Sequence, residues 1–239
     1  MATTLSSARS RAGSRPGPGT GALASGAEVR LVLAAHRPGE RPKNALPALA
    51  VLGRSNVGKS SLLNALLGTK VARVSQTPGR TQALYWYRVG DRFDVVDCPG
   101  YGFAKTGRET RDLLERLIES LLLGTSEEAD AAREAEAGAP RAAAFRPSLA
   151  LLLIDGRLEP QESDLSMALF LKESSVPAFV AATKWDAVKP SQRVRQLRAL
   201  SVAFQTSDRP LLPVSSETGE NLPALARALR AALAPSWKE

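Results

Sequence analysis

Apolar and polar positions fall in blocks along the chain, and the period changes from block to block. Ala48-Leu49-Ala50-Val51-Leu52 is a continuous apolar run, and Leu149 to Ile154 and Val176 to Ala182 are two more. Runs of this length predict strands buried on both faces of a parallel sheet. Ala83 to Val89 and Arg92 to Asp97 are aromatic and β-branched, with Gly90-Asp91 as a turn between them, and predict a hairpin. Leu211 to Val214 is a short last strand, and Glu28 to Ala35 an edge strand or a leading turn. Between the strands the spacing becomes helical. Ser61 to Leu67 follows the first run, and Leu113, Leu114, Leu117, Ile118 and Leu121 mark a helix over 108–123. Further helices are expected over 161–173, over 191–204 with an apolar line through Val194, Leu197 and Phe204, and through Leu222, Leu225, Ala226, Leu229 and Leu233. The alternation predicts an α/β fold with a mostly parallel central sheet, helices on both faces, and ligand loops at the strand C-termini.

Three segments fall outside this pattern. Residues 1–27 contain Ser, Gly, Ala, Arg and Pro and no acid, which predicts a disordered basic tail. The tail is Arg- and Ser-rich like a transit peptide but lacks an amphipathic helix. Residues 124–148 turn to Ala, Glu, Arg, Gly and Pro and read as a low-complexity surface insertion in a folded domain of residues 28–235. Residues 236–239 form a short C-terminal tail.

Composition narrows the class further. The chain of 239 residues is 44% hydrophobic and 23% charged, ordinary for a folded domain, and no apolar run is long enough to span a bilayer. Cys98 is the one cysteine, so no internal disulfide can form and a reducing compartment is expected. Between a proline and an acid it reads as a packed small residue rather than a nucleophile. His36 is the one histidine and reads as a surface residue. The net charge of +8 and pI of about 10.1 favour an anionic partner, nucleic acid first.

The chemistry is concentrated where the first buried run meets the first helix. Gly53-Arg54-Ser55-Asn56-Val57-Gly58-Lys59-Ser60 fits GxxxxGK[ST] between a strand and a helix, the P-loop arrangement. Gly53 and Gly58 let successive backbone N–H groups turn toward phosphate oxygens, and the helix N-terminus adds its positive end. Lys59 supplies a charge for the β- and γ-phosphates, and the Ser60 hydroxyl a magnesium ligand. Asp97-Cys98-Pro99-Gly100 ends the hairpin's second strand. Its acid is placed for a water-mediated magnesium contact, and Gly100 can offer its N–H to a γ-phosphate.

Thr183-Lys184-Trp185-Asp186 follows another buried run and points to the base. The Asp186 carboxylate can accept from the ring N–H and exocyclic amine of guanine, a donor pair adenine lacks. The stem of Lys184 can lie along the base, and the backbone after Val214, at Ser215 and Ser216, can donate to the guanine oxygen. A nucleotide kinase would need an acceptor site and an arginine-bearing lid, and this base-reading segment argues against it.

These pieces, in this order, resemble the translation-factor-type P-loop GTPases, with a Ras-like G domain. Within them the chain resembles the EngB family, also called YihA or YsxC. The resemblance rests on Gly53 to Ser61, on Pro78-Gly79-Arg80-Thr81-Gln82, on Asp97-Cys98-Pro99-Gly100-Tyr101-Gly102-Phe103-Ala104 and on Thr183 to Asp186. It covers about residues 28–235 without the insertion. It implies GTP and GDP as ligands with Mg²⁺, and Thr81 as the switch threonine that joins Ser60 on the metal. Lys59 and Thr81 are then the residues closest to the chemistry, and Gly79, Arg80, Gln82 and Ala83 complete the loop around the nucleotide. Asn56 is expected to help hold a potassium ion, as in related GTPases with Asn at this position. The resemblance also implies a monomeric bacterial cytoplasmic protein needed for normal cell division and septation, acting in assembly of the large ribosomal subunit through rRNA or a ribosomal protein. Tyr101 stands where Ras-like enzymes carry the glutamine that orients water. Hydrolysis is therefore expected to be slow, and a nucleotide-gated binding module with negligible turnover is the alternative.

Overall fold

The computed structural model describes residues 21–71, 83–102, 107–125, 145–205 and 210–234. Seven strands among them form one sheet. They are β1 (Val29–Ala35), β2 (Ala48–Gly53), β3 (Leu84–Val89), β4 (Phe93–Asp97), β5 (Leu149–Asp155), β6 (Ala178–Thr183) and β7 (Leu212–Pro213). Their order is β1-β3-β4-β2-β5-β6-β7, and β3 alone runs against the rest. The described helices are α1 (Lys59–Leu67), α2 (Arg108–Leu123), α3 (Glu162–Glu173), α4 (Arg193–Ala203) and α5 (Leu222–Leu233).

The continuous apolar runs hold the centre because both faces of the sheet are covered. Leu149, Leu151 and Leu153 of β5 pack with α1 and α5, while Ala150, Leu152 and Ile154 pack with α2, α3 and α4. Successive side chains of a strand leave on opposite faces, so a strand between two helical layers must be apolar at every position. β2 meets the same demand, and all six of its residues are buried.

Four local differences from the sequence reading have physical causes. Glu28 to Ala35 yields a true edge strand, whose register shifts between Leu31 and Leu33 against β3 and leaves Leu31 53% exposed. A bulge of this kind blunts a sheet edge. The expected tail boundary at residue 27 is corrected, because residues 21–27 are packed. The Gly21 N–H donates to the Ala65 carbonyl at 2.8 Å and the Leu23 N–H to the Leu66 carbonyl at 2.9 Å, with Leu23 and Ala24 buried. The last carbonyls of a helix need outside donors, and this strap supplies them to α1. Arg230 of α5 holds the strap from the other side, donating to the Ala22 carbonyl at 2.7 Å. Composition alone does not show that a helix end is waiting for these N–H groups.

The insertion is likewise narrower than 124–148. Gly124 caps α2 at φ 71°, and Phe145 packs against Trp86 with ring centroids 5.4 Å apart. Arg146 donates to the carbonyls of Leu123 and Ser174. Finally, the expected helix over 191–204 begins as a 3₁₀ turn at Pro190–Gln192, with α4 proper starting at Arg193. Val194 is not on its apolar line but 83% exposed, and the inward line is Leu197, Leu200 and Phe204.

Candidate functional site

The strand registers bring four C-terminal ends level. Val51 pairs with Asp97, Gly53 with Leu153, and Asp155 with Thr183, so β2, β4, β5 and β6 all stop at one edge. The loop from Gly53 to Gly58 rises from the middle of that edge. A Cβ on Gly53 would meet Val57 Cγ1 at 2.9 Å and the Leu153 carbonyl oxygen at 3.0 Å, which ties the tight exit from β2 to glycine. Gly58 caps α1 at φ 100°, and the helix starts at Lys59. The first N–H groups of a helix have no intrahelical acceptor, so this end offers donors and positive potential to an anion.

Lys59 is buried and its ammonium donates to the equally buried Asp97 carboxylate. The phosphate-loop lysine and the acid of the Asp97–Gly100 segment therefore neutralise each other across the site. Ser60 sits half-buried in the first turn of α1, next in sequence to Lys59. The Ser60 hydroxyl and the Asp97 carboxylate are hard oxygen donors that suit magnesium, which keeps several waters and takes phosphate oxygens as further ligands. The donor set at this end of the sheet fits that ion.

Thr183-Lys184-Trp185-Asp186 forms the neighbouring corner. The Thr183 hydroxyl donates to the Val57 carbonyl at 2.6 Å, fastening the phosphate loop to the end of β6. Lys184 sits at φ 56°, and its ammonium donates to the Asn56 carbonyl at 2.5 Å and to Asp155 at 3.0 Å. Its stem is thus laid across the loop. Asp186 is exposed and ready for a ligand, and Ser215 orients it. The Ser215 hydroxyl donates to Asp186 Oδ1 at 2.5 Å and accepts from the N–H groups of Glu217 and Thr218. With its lone pairs filled, that hydroxyl can only donate toward the carboxylate.

Several sequence-named residues take other roles. Gly79, Arg80, Thr81 and Gln82 lie outside the described residues, as do Phe103 and Ala104. Ala83 is fully buried at the start of β3. Cys98 is not a contact residue, because its N–H donates to the Val51 carbonyl at 3.1 Å and its side chain is fully buried. Burial pushes its thiol up to about 12, which removes it as a nucleophile. Pro99 is buried beside it. Trp185 points into the core with the Arg193 guanidinium 5.9 Å from its ring centre, so only its backbone faces the corner. Val214 is buried and accepts from the Trp185 N–H. The Ser215 N–H donates to the Glu220 carbonyl at 3.1 Å, which narrows the expected backbone donor for the base to Ser216.

The sequence reading missed two acids. Asp155 ends β5 and receives Arg157 through both guanidinium Nε and Nη2 at 2.9 and 2.8 Å, besides Lys184. Against the cost of burial, these hydrogen bonds hold its carboxyl below the usual range. The available signal was its place, an acid at the tip of a buried run like Asp97. Asp164, in the first turn of α3, accepts from the Tyr101 hydroxyl at 2.9 Å. Burial raises its pKa despite that bond and the nearby Arg54.

The Asp164 shift has a testable consequence. A carboxyl with a raised folded pKa stabilises the fold fully below its unfolded value of about 3.9 and loses that contribution as pH rises through the folded value. At neutral pH its charge is therefore a net cost. Asp164→Asn keeps a carbonyl acceptor for Tyr101 and removes the charge. Urea melts should show the variant more stable than wild type at pH 7, with the difference shrinking as pH falls toward about 4.

Comparison with known proteins gives the same picture. The family model described as "50S ribosome-binding GTPase" matches residues 48–184. The "Probable GTP-binding protein EngB" of Thermotoga maritima is 37% identical over 199 residues, covering 83% of this chain and 92% of the relative. That of Gemmatimonas aurantiaca is 39% identical over 202 residues, covering 84% and 90%. The chain belongs to the EngB family. A solved structure of a probable GTP-binding protein EngB superposes with a TM-score of 0.58 at 25% identity, covering 79% of this chain and 99% of that one. A structure of Era in complex with MgGDPNP and 16S ribosomal RNA nucleotides shares the fold, with a TM-score of 0.57 at 24% identity over 82% of this chain and 58% of that one. Its EngB membership and these neighbours make the chain a Ras-like G domain. No helix among the described residues is long and apolar enough to cross a membrane.

Proposed function

We propose that this protein is a guanine-nucleotide switch of the bacterial cytoplasm that hydrolyses GTP slowly and acts in assembly of the large ribosomal subunit, in support of cell division and septation. The observation that carries the reading is the joining of two recognition elements at one sheet edge. The Thr183 hydroxyl and the Lys184 ammonium both hold the phosphate loop by its carbonyls, and Asp186 stands beside them with its carboxylate oriented by Ser215. Phosphate binding and guanine reading are thereby built into one rigid unit. The membership in a family described as ribosome-binding and the net charge of +8 support an RNA-rich partner.

In this reading Gly53 to Ser60 hold the phosphates, and Lys59 leaves Asp97 to meet the β- and γ-oxygens. Ser60, with Thr81, ligates magnesium, and the ion when bound spreads the charge of the transferring phosphoryl group. Gly79 to Ala83 and Asp97 to Gly100 respond to the third phosphate, and the loops they anchor present the partner surface. The exposed Arg195 and Arg198 of α4 add to the positive field that draws the protein to RNA. Asn56, exposed at φ 62°, is placed to share a potassium ion with the phosphates. Equal turnover in potassium and sodium buffers would remove that role.

One observation favours a module with negligible turnover. Tyr101 follows the Asp97–Gly100 segment, and its hydroxyl is committed to Asp164, away from any attacking water. Co-sedimentation with large ribosomal subunits, with GDP and then a non-hydrolysable GTP analogue across a salt series, tests the switch. Retention with the analogue alone is the expected result. Retention that ignores the nucleotide and fades uniformly with salt overturns it. Phosphate release with and without subunits then separates the slow enzyme from the silent module.

A further inference from the structure

Among the described residues, two buried side-chain polar atoms have no hydrogen-bond partner, Trp86 Nε1 and Ser55 Oγ. Trp86 belongs to the packing of β3 against Phe145, far along the sheet from the phosphate loop in register. Ser55 stands in the loop itself. A Cβ built on Gly100 would fall 2.6 Å from Ser55 Oγ and 3.0 Å from Ser55 Cα and N. The hydroxyl therefore faces the glycine that closes the Asp97–Gly100 segment. The two segments are held in that relation by the backbone, since the Ser55 N–H donates to the Tyr101 carbonyl at 3.2 Å and Arg54 bridges Tyr101 in parallel register.

A buried hydroxyl without an acceptor is an unstable arrangement, and proteins keep such groups paired unless a ligand completes them. The neighbouring donors are already engaged. The Lys59 ammonium is on Asp97, the Tyr101 hydroxyl is on Asp164, and the Ser55 N–H is on Tyr101. The Ser55 hydroxyl is the unspent side-chain donor between the phosphate loop and Gly100. A nucleotide diphosphate ends before that gap. A triphosphate places anionic oxygens at it.

We propose that the Ser55 hydroxyl reads the third phosphate, donating to a γ-phosphate oxygen and so setting the preference of the site for GTP over GDP. Ser55 is then a specificity-determining residue, distinct from the loop's backbone, which holds both nucleotides alike. The proposal rests on the guanine-nucleotide reading given above.

The test uses the full chain as wild type, Ser55→Ala and Ser55→Gly, with fluorescent GDP and a fluorescent imido analogue of GTP, in magnesium. The expected result is a fall of about tenfold in affinity for the analogue, as for loss of one charge-assisted hydrogen bond, with GDP affinity changed by less than about twofold. Nucleotide-free Ser55→Ala should melt at or above the wild-type temperature, because the orphaned hydroxyl is gone. Ser55→Gly should shift the affinity ratio the same way. Equal losses for the two nucleotides, or an unchanged ratio in both variants, overturn the proposal and leave guanine binding intact. Wild-type protein that binds neither nucleotide overturns the reading of the site as well.

Discussion

Asp186→Asn is expected to lower the affinity for GDP and GTP by about 10⁴-fold and to raise that for xanthosine nucleotides, measured by calorimetric titration. The size follows from the directions of the hydrogen bonds around the corner. Ser215 Oγ accepts from the Glu217 and Thr218 N–H groups and so must donate to residue 186. In the variant that donor selects the amide oxygen, and the amide nitrogen is turned to the base. It then opposes the N–H groups of guanine and matches the carbonyl that xanthine carries there. A loss of only about tenfold would show that the base is held elsewhere and would remove Asp186 from the reading.

Gly100→Ala is expected to separate the two halves of the phosphate site. The new methyl would lie 2.6 Å from Ser55 Oγ and 3.0 Å from the Ser55 backbone, and the backbone cannot yield as a side-chain end can. The Asp97–Gly100 segment must move off the loop. Overpacking of this kind costs about 1–3 kcal/mol in stability, visible in urea melts. Displacement by about 1 Å of a group that completes the site costs about 10²-fold in turnover, visible in single-turnover phosphate release. Unchanged turnover would mean that Gly100 does not approach the nucleotide.

The parts of this site that rest on short-range pattern were legible in the sequence. Gly53 to Ser60, Asp97 to Gly100 and Thr183 to Asp186 each follow a strand, and the parallel register brings the three together at one edge. What the sequence could not show were pairings between distant positions. Asp155 and Lys184 are 29 residues apart and Tyr101 and Asp164 are 63 apart, and no periodicity links either pair. The packed strap at Gly21 to Ala27 escaped for a similar reason. Its composition is that of a tail, and its order comes from acceptors at the end of α1. Val194 was assigned inward by spacing, but the 3₁₀ turn ahead of α4 rotates the helix and puts it outside.

The pairing of Lys59 with Asp97 makes the empty site a closed electrical circuit. Opening it for phosphate alone would leave a buried carboxylate facing an anion, and stranding one member of a buried pair costs about 3–5 kcal/mol. A divalent cation arriving with the phosphate takes over the charge that Lys59 gives up. Nucleotide and metal are therefore linked in a single exchange of counter-ions, and the apparent affinity for nucleotide should rise and fall with the free magnesium concentration. Such a site stays shut to nucleotide stripped of its metal, and its occupancy reports on both pools at once.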